Sequence, residues 1–354
     1  MTILRTLLAL TAAVAATNAL AAPAIEKTVK AEPGSLYELV FNPGDQSVYV
    51  AAVGPRDAKA ARIVRFDAAS LTPKGGVDVA SSPLYGLAIN TRTQTLYGTD
   101  TRAGTVSIID LKAGAVSATV KHAGGKAPHV REVIVDEAAN KAYVTIVGGA
   151  PEKAAENPNQ VWVIDGATRT LERIITVPTD TLTAAAVDSA GKRLFVTGMG
   201  GNEIVAIDLV NDQVIGKWPA GGERPTNLVF DAAGKRLFVA NQGTGDLSVL
   251  NADTGAVLKT VKTGEGALSV AFNPKLNQVY VANRQAGTVT IVDGADYAVL
   301  GNLKTGTFPQ TLAVDPATNR LFVSNKARGL PRNAPPGTPA PDDPAGDTLT
   351  VIRP

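Results

Sequence analysis

The chain contains no cysteine and only two histidines, His122 and His129, among 354 residues. The first absence excludes disulfides, thiolate metal sites, covalent haem attachment and a lipid-modified N-terminus. Two histidines without cysteine rarely complete a metal site, so neither a metal nor a cofactor is expected. His129 lies close in sequence to Arg131 and Glu132, which gives it the neighbours of an acid–base group; a loop histidine with a local partner is the competing reading. Charge of one sign is equally scarce. The 34 Lys and Arg against 32 Asp and Glu leave a net +2, too little to imply a polyanionic partner without local clustering. The glycine-rich runs Gly198-Met199-Gly200-Gly201 and Gly243-Thr244-Gly245 lack the strand-to-helix context and downstream lysine of a phosphate loop, and read as turns.

What is present is a repeat. The phrase Arg-Leu-Phe/Tyr-Val-x-Asn is clearest at Arg236–Asn241, Gln278–Asn283 and Arg320–Asn325, with weaker copies centred on Tyr49, Tyr97, Tyr143 and Phe195. The aromatic landmarks recur every 42 to 52 residues, close to the period of about 40 to 50 expected of a four-stranded propeller blade. The runs are rich in Val, Ile, Thr, Tyr and Phe and bounded by Gly, Asn, Asp and Pro, which favours strands over helices. Many are apolar at consecutive positions, as in strands buried on both faces. A blade cannot cover its own apolar surface, so seven of them must close into a ring. The expected fold is therefore all-β: a seven-bladed propeller of four-stranded antiparallel blades. The last blade, ending Thr348–Arg353, has no residues left for a fourth strand. Residues 25–30 precede the first inner strand and are the expected donor, so the N-terminal strand would close the ring and cover its edge. The acids and amides ending each third strand, Asp67, Asp110, Asp165, Asp208, Asn251 and Asp293, occupy one repeated corner and are expected to make Asx turns, not metal sites.

Residues 1–21 differ from the rest. Arg5, an apolar stretch from Leu7 to Ala16 and Ala19-Leu20-Ala21 read as a cleavable secretory signal peptide, too short in its apolar part to span a membrane. Residues 22–354 are then a single exported domain, expected in a periplasm and as a monomer.

Function should lie where the copies disagree. At the start of the inner strands the equivalent positions hold Tyr37, Tyr85, Arg131, Thr183, Thr226, Leu268 and Gln310, placing two tyrosines and an arginine side by side. Arg102, Arg284, Lys326 and Arg328 fall in second-to-third-strand loops on the same face, as do the longer insertions at 54–60, 148–159 and 327–346. Aromatic and guanidinium planes at a channel mouth can stack on exposed bases while cations track phosphate. The competing reading is structural: packing between blades, with Glu38 or Glu132 neutralising Arg131. Trp162 and Trp218 are expected to fill space between blades.

The Tyr/Phe-Val-x-Asn repeats, the leader, the Arg-Gln-Ala-Gly run at Arg284–Gly287 and the Arg131-Glu132 pair together resemble the YncE-type family of periplasmic seven-bladed propellers with YVTN repeats. The resemblance spans essentially the whole of residues 22–354. It implies a non-catalytic exported propeller, with single-stranded DNA binding as the associated activity. It marks Tyr37, Glu38, Arg131, Glu132, Arg284, Gln285 and Lys326 as family-like positions; Tyr85 joins them from its place in the repeat. The 327–346 loop departs from the family pattern, so the resemblance assigns no contacts there. Fold analogy alone does not establish function. Three readings follow: a binding propeller for single-stranded DNA or another extended ligand such as a peptide, a protein-interaction scaffold, and an enzyme of lyase, lactonase or quinoprotein type. The last wants converging histidines, carboxylates or metal around the axis, of which the sequence offers little.

Overall fold

The computed structural model describes residues 22–55, 59–122, 127–150, 152, 155–330, 333, 335, 338 and 341–354. The leader read at residues 1–21 lies outside them, as do parts of all three insertions. The described chain is all-β and forms seven four-stranded antiparallel sheets. Within each blade the strands run from inner (a) to outer (d); blade 1 is Leu36–Asn42, Ser47–Ala52, Arg62–Asp67 and Pro73–Asp78.

Blade 7 is assembled from both ends of the described chain. Its strands Pro309–Val314, Leu321–Asn325 and Thr348–Arg353 are completed by Ala24–Lys30 as the outer strand. The pairing register sets Thr28 opposite Thr350 and Val29 opposite Leu349. The Thr28 and Thr350 hydroxyls lie 3.0 Å apart, and Arg320 pairs with Glu26 at 2.8 Å. The expected closure is thus formed, and the edge of the Thr348–Arg353 strand is covered.

The apolar residues form a ring of seven cores, each shared by two adjacent blades. The repeated aromatic of strand b is the wedge. Phe195 of blade 4 packs with Leu228 and Leu237 of blade 5, and Tyr280 of blade 6 with Leu321 and Ile352 of blade 7. Phe322 of blade 7 stacks on Phe41 of blade 1, with centroids 5.7 Å apart. Burying such a side chain contributes roughly 1.5–3 kcal/mol, which is why the recurring residue is scaffold. Trp162 is buried in the core between blades 2 and 3. Trp218 is half-buried on an outer strand beside Phe195.

The polar letters of the repeat are structural too. Asn283 Nδ2 donates to Thr290 Oγ1 at 2.8 Å and Thr288 Oγ1 at 3.1 Å, and Asn325 Nδ2 makes the matching bonds to Thr348 and Thr350. These tie strand b to strand c at the top of the blade. The acids at the ends of strand c make the expected Asx turns: Asp67 Oδ1 accepts from Ser70 N at 2.8 Å, and Asp165 Oδ1 from Thr168 N at 2.8 Å.

Candidate functional site: the channel mouth

The inner strands do not run regularly to the top of the blade. Their register shifts between Leu36 and Leu39, Val130 and Val133, Leu182 and Ala185, Pro225 and Asn227, Ala267 and Ser269, and Pro309 and Thr311. Each shift is a bulge, which bends a strand and re-aims its side chains. With these bulges Glu38, Glu132, Asn227, Ser269 and Thr311 line the mouth of the central channel, joined by Gly86 of blade 2, whose inner strand begins there and shows no such shift.

The variable letter of the repeat fixes these bulges from the neighbouring blade. Thr99 Oγ1 accepts from Gly86 N at 2.9 Å and donates to the carbonyl of Arg131 at 2.7 Å. Thr145 Oγ1 accepts from Glu132 N at 3.1 Å and donates to Thr183 O at 3.0 Å. Ser324 Oγ donates to Tyr37 O at 2.7 Å. A hydroxyl on one blade thereby sets the backbone of the mouth residue on the next.

The mouth is a cavity of about 440 Å³ walled by Tyr37, Tyr85, Arg102, His129, Leu268 and Gln310, with Glu38, Arg131, Glu132 and Asn227 deeper in. Beneath it a second cavity of about 430 Å³ follows the axis and is lined mainly by apolar inner-strand residues, among them Val40, Ile89, Ile134, Val187 and Val229. Glu38, Glu132, Asn227 and Ser269 border both, so they form the polar girdle between a wet rim and an apolar channel.

Electrostatics follow from that enclosure. Burial pushes the Glu132 carboxyl up to about 8, against the opposing charge of Arg131 and a hydrogen bond from Asn227 Nδ2 at 3.1 Å. Burial also raises Glu38 well above the usual carboxylate range, with the Glu132 charge adding to it and Arg131 opposing. Arg131 is drawn down by burial while both carboxylates hold it up. Burial and Arg131 together lower His129. Proximity does not become pairing, however. Among the described residues the Arg131 guanidinium makes no ion pair with Glu38 or Glu132, although both carboxylates act on it electrostatically.

Around the rim, cations sit on aromatic rings. Tyr37 and Tyr85 meet edge to face with centroids 4.8 Å apart. Lys326 Nζ lies 3.6 Å from the Tyr37 ring centre, and the Arg102 guanidinium 5.6 Å from that of Tyr85. Arg284 and Arg328 lie 4.3 and 5.6 Å from the ring centre of Phe308.

Of the residues singled out in the sequence, Tyr37, Glu38, Tyr85, Arg131 and Glu132 line the mouth. Arg284 and Lys326 stand on its rim through their rings. Gln285 is exposed and folds over Gly266, so close that a Cβ there would meet its Oε1. Phe308 and Asn227 were not anticipated. Phe308 precedes the last inner strand in a left-handed turn, φ +42°, an unusual conformation for an aromatic that only the structure reveals. Asn227 could have been found as the blade 5 counterpart of Glu132 only with the bulges known.

No family model matches the chain. It is 28% identical over 195 residues, 53% of its length and 52% of the relative's, to the uncharacterized protein YncE of Escherichia coli (strain K12), and by the same figures to the uncharacterized protein YncE of Salmonella typhimurium (strain LT2). The chain spans about half the length of the curated relatives it matches.

Proposed function

We propose that this chain, a YncE-like seven-bladed propeller, is an exported, non-catalytic binding protein that takes single-stranded DNA across its loop face. One observation carries the reading. Four cations, Arg102, Arg284, Lys326 and Arg328, are gathered on a single face, each held against an aromatic ring at 5.6, 4.3, 3.6 and 5.6 Å. A ring under a guanidinium orients a flat cationic plane on which a base can stack, and the same charges meet the phosphates between bases. Every base has a π-face, so such a surface tolerates any sequence. Phosphate contacts also make affinity fall with salt, in contrast to a protein docking rim of mixed polarity.

The test is fluorescence anisotropy with a labelled oligothymidylate over a salt series. Binding is expected at low salt, and the logarithmic slope against salt should become shallower by about 0.7 for each phosphate that a variant no longer neutralises. Arg284→Ala and Lys326→Ala should each weaken binding about tenfold, the scale of one stacked base. No binding at low salt would remove the nucleic-acid reading, and unchanged binding by both variants would remove the rim as its site.

A further inference from the structure

We propose that the channel mouth is a separate site for a small zwitterion of the α-amino-acid class, seated below the rim with its carboxylate on Arg131 and its ammonium on Glu38 and Glu132. The inference does not depend on nucleic-acid binding at the rim. It starts from two side chains that lack partners. The Glu38 carboxyl and the Arg131 guanidinium both face the mouth cavity, and among the described residues neither side chain has a hydrogen bond or an ion pair. Both side chains are part-buried and open to the mouth, so a ligand seated there meets two ionisable groups that no protein partner occupies. Glu132 is different, since Asn227 already donates to it.

One unpartnered group is basic and the other acidic, and they do not pair with each other; burial holds the Glu38 and Glu132 carboxyls protonated, and an ammonium seated beside them is what would ionise them. That combination selects the ligand. A simple cation would meet Arg131, and a simple anion would leave the Glu38 carboxyl without a partner. A molecule carrying both charges on substituents of one carbon satisfies both walls at once. Its size is also bounded, because a cavity of about 440 Å³ lies inside the ~300–1,000 Å³ range of small-molecule sites. Tyr37, Tyr85 and Leu268 supply apolar wall for a side chain, and Gln310 and His129 supply polar atoms.

The scaffold keeps the space open. Blade 2 presents Gly86 where blades 1 and 3 present Glu38 and Glu132, and a Cβ at Gly86 would come within 2.6 Å of Thr99 Oγ1 and 2.7 Å of Arg131 O. Arg131 itself is fixed from behind by the Thr99 hydroxyl on its carbonyl. An extended ligand then lies on the rim and the zwitterion on the floor.

The experiment screens the proteinogenic L-amino acids by thermal shift at about 10 mM, then titrates the best by calorimetry against two analogues, one lacking its ammonium and one lacking its carboxylate. At least one amino acid is expected to bind with a sub-millimolar Kd, about tenfold or more tighter than either analogue. Glu38→Gln, which keeps shape, and Arg131→Met should each abolish that preference. If no amino acid binds, if an analogue binds as tightly as its parent, or if Glu38→Gln binds like the unaltered protein, the proposal fails. The analogue comparison uses the unaltered protein, so a misfolded variant cannot mask the answer.

Discussion

Removing residues 22–30 should open the ring without touching any residue of the mouth. The Ala24–Lys30 strand covers the outer edge of Thr348–Arg353, and Val29 packs on the core holding Phe322, Leu349 and Val351. Most of the strand's own side chains are exposed, so the loss is that of cover for its partner, equivalent to roughly two apolar side chains, or ~3–6 kcal/mol. Unfolding entropy of ~2.1 cal/mol/K per residue gives ~0.7 kcal/mol/K for a chain of this size, so the expected fall in Tm is ~4–9 °C. Differential scanning calorimetry measures it directly. The truncated protein should also self-associate through the bared strand, visible as a concentration-dependent sedimentation profile. A melt within a degree of the intact protein, with monomeric sedimentation, would refute the claim that this strand holds the ring closed.

Two further outcomes follow from the mouth. Thr145→Val keeps the side-chain shape but leaves Glu132 N and Thr183 O, which the hydroxyl joins at 3.1 and 3.0 Å, without their link; a loss of about 1–3 kcal/mol in urea unfolding is expected, and a change below a few tenths would show that the inter-blade stitch contributes little. Glu132 holds its proton up to about 8 in the folded protein, against about 4.3 in an unfolded chain. Between those values the folded state binds the extra proton, so stability is full at the acid end of the window and falls as pH rises through it, at up to ~1.4 kcal/mol per pH unit. Glu38 acts in the same direction, whereas His129, lowered by burial and by Arg131, acts in the opposite one. Glu132→Gln should therefore flatten the decline in Tm between pH 5 and pH 8; an unchanged slope would mean that Glu132 is ionised in the folded protein.

Much of the scaffold was legible because it is written in local pattern. The Arg-Leu-Phe/Tyr-Val-x-Asn phrase combines a turn, a strand and a wedge for the next blade, all set by residues close in sequence. Phe195, Phe238, Tyr280 and Phe322 accordingly are all buried between blades. The Asx turns at Asp67 and Asp165 need only the next three residues, and the closing strand needed only the observation that blade 7 was one strand short.

The mouth is another matter. That Tyr37, Tyr85 and Arg131 share a face follows from counting positions in the repeat. That Glu38 and Glu132 also face the axis does not, because a regular strand alternates sides and would send one of each neighbouring pair away. The bulges break that alternation, and they depend on hydroxyls of the adjacent blade, such as Thr99 on Arg131 and Ser324 on Tyr37. Phe308 joined the rim at a left-handed turn that recurs before other inner strands, at Ser35, Thr181, Arg224 and Gly266, and only its aromatic side chain is unusual there. The sequence by itself determined the number of blades and their four-stranded form, since each rests on interactions within one period, and it pointed to the closing strand because the last repeat lacked a fourth. Only the tertiary structure decided which side chains meet at the axis, left Glu38 and Arg131 facing one cavity without pairing, and seated Lys326 and Arg284 on their rings, because those contacts are made where chain ends from different blades converge.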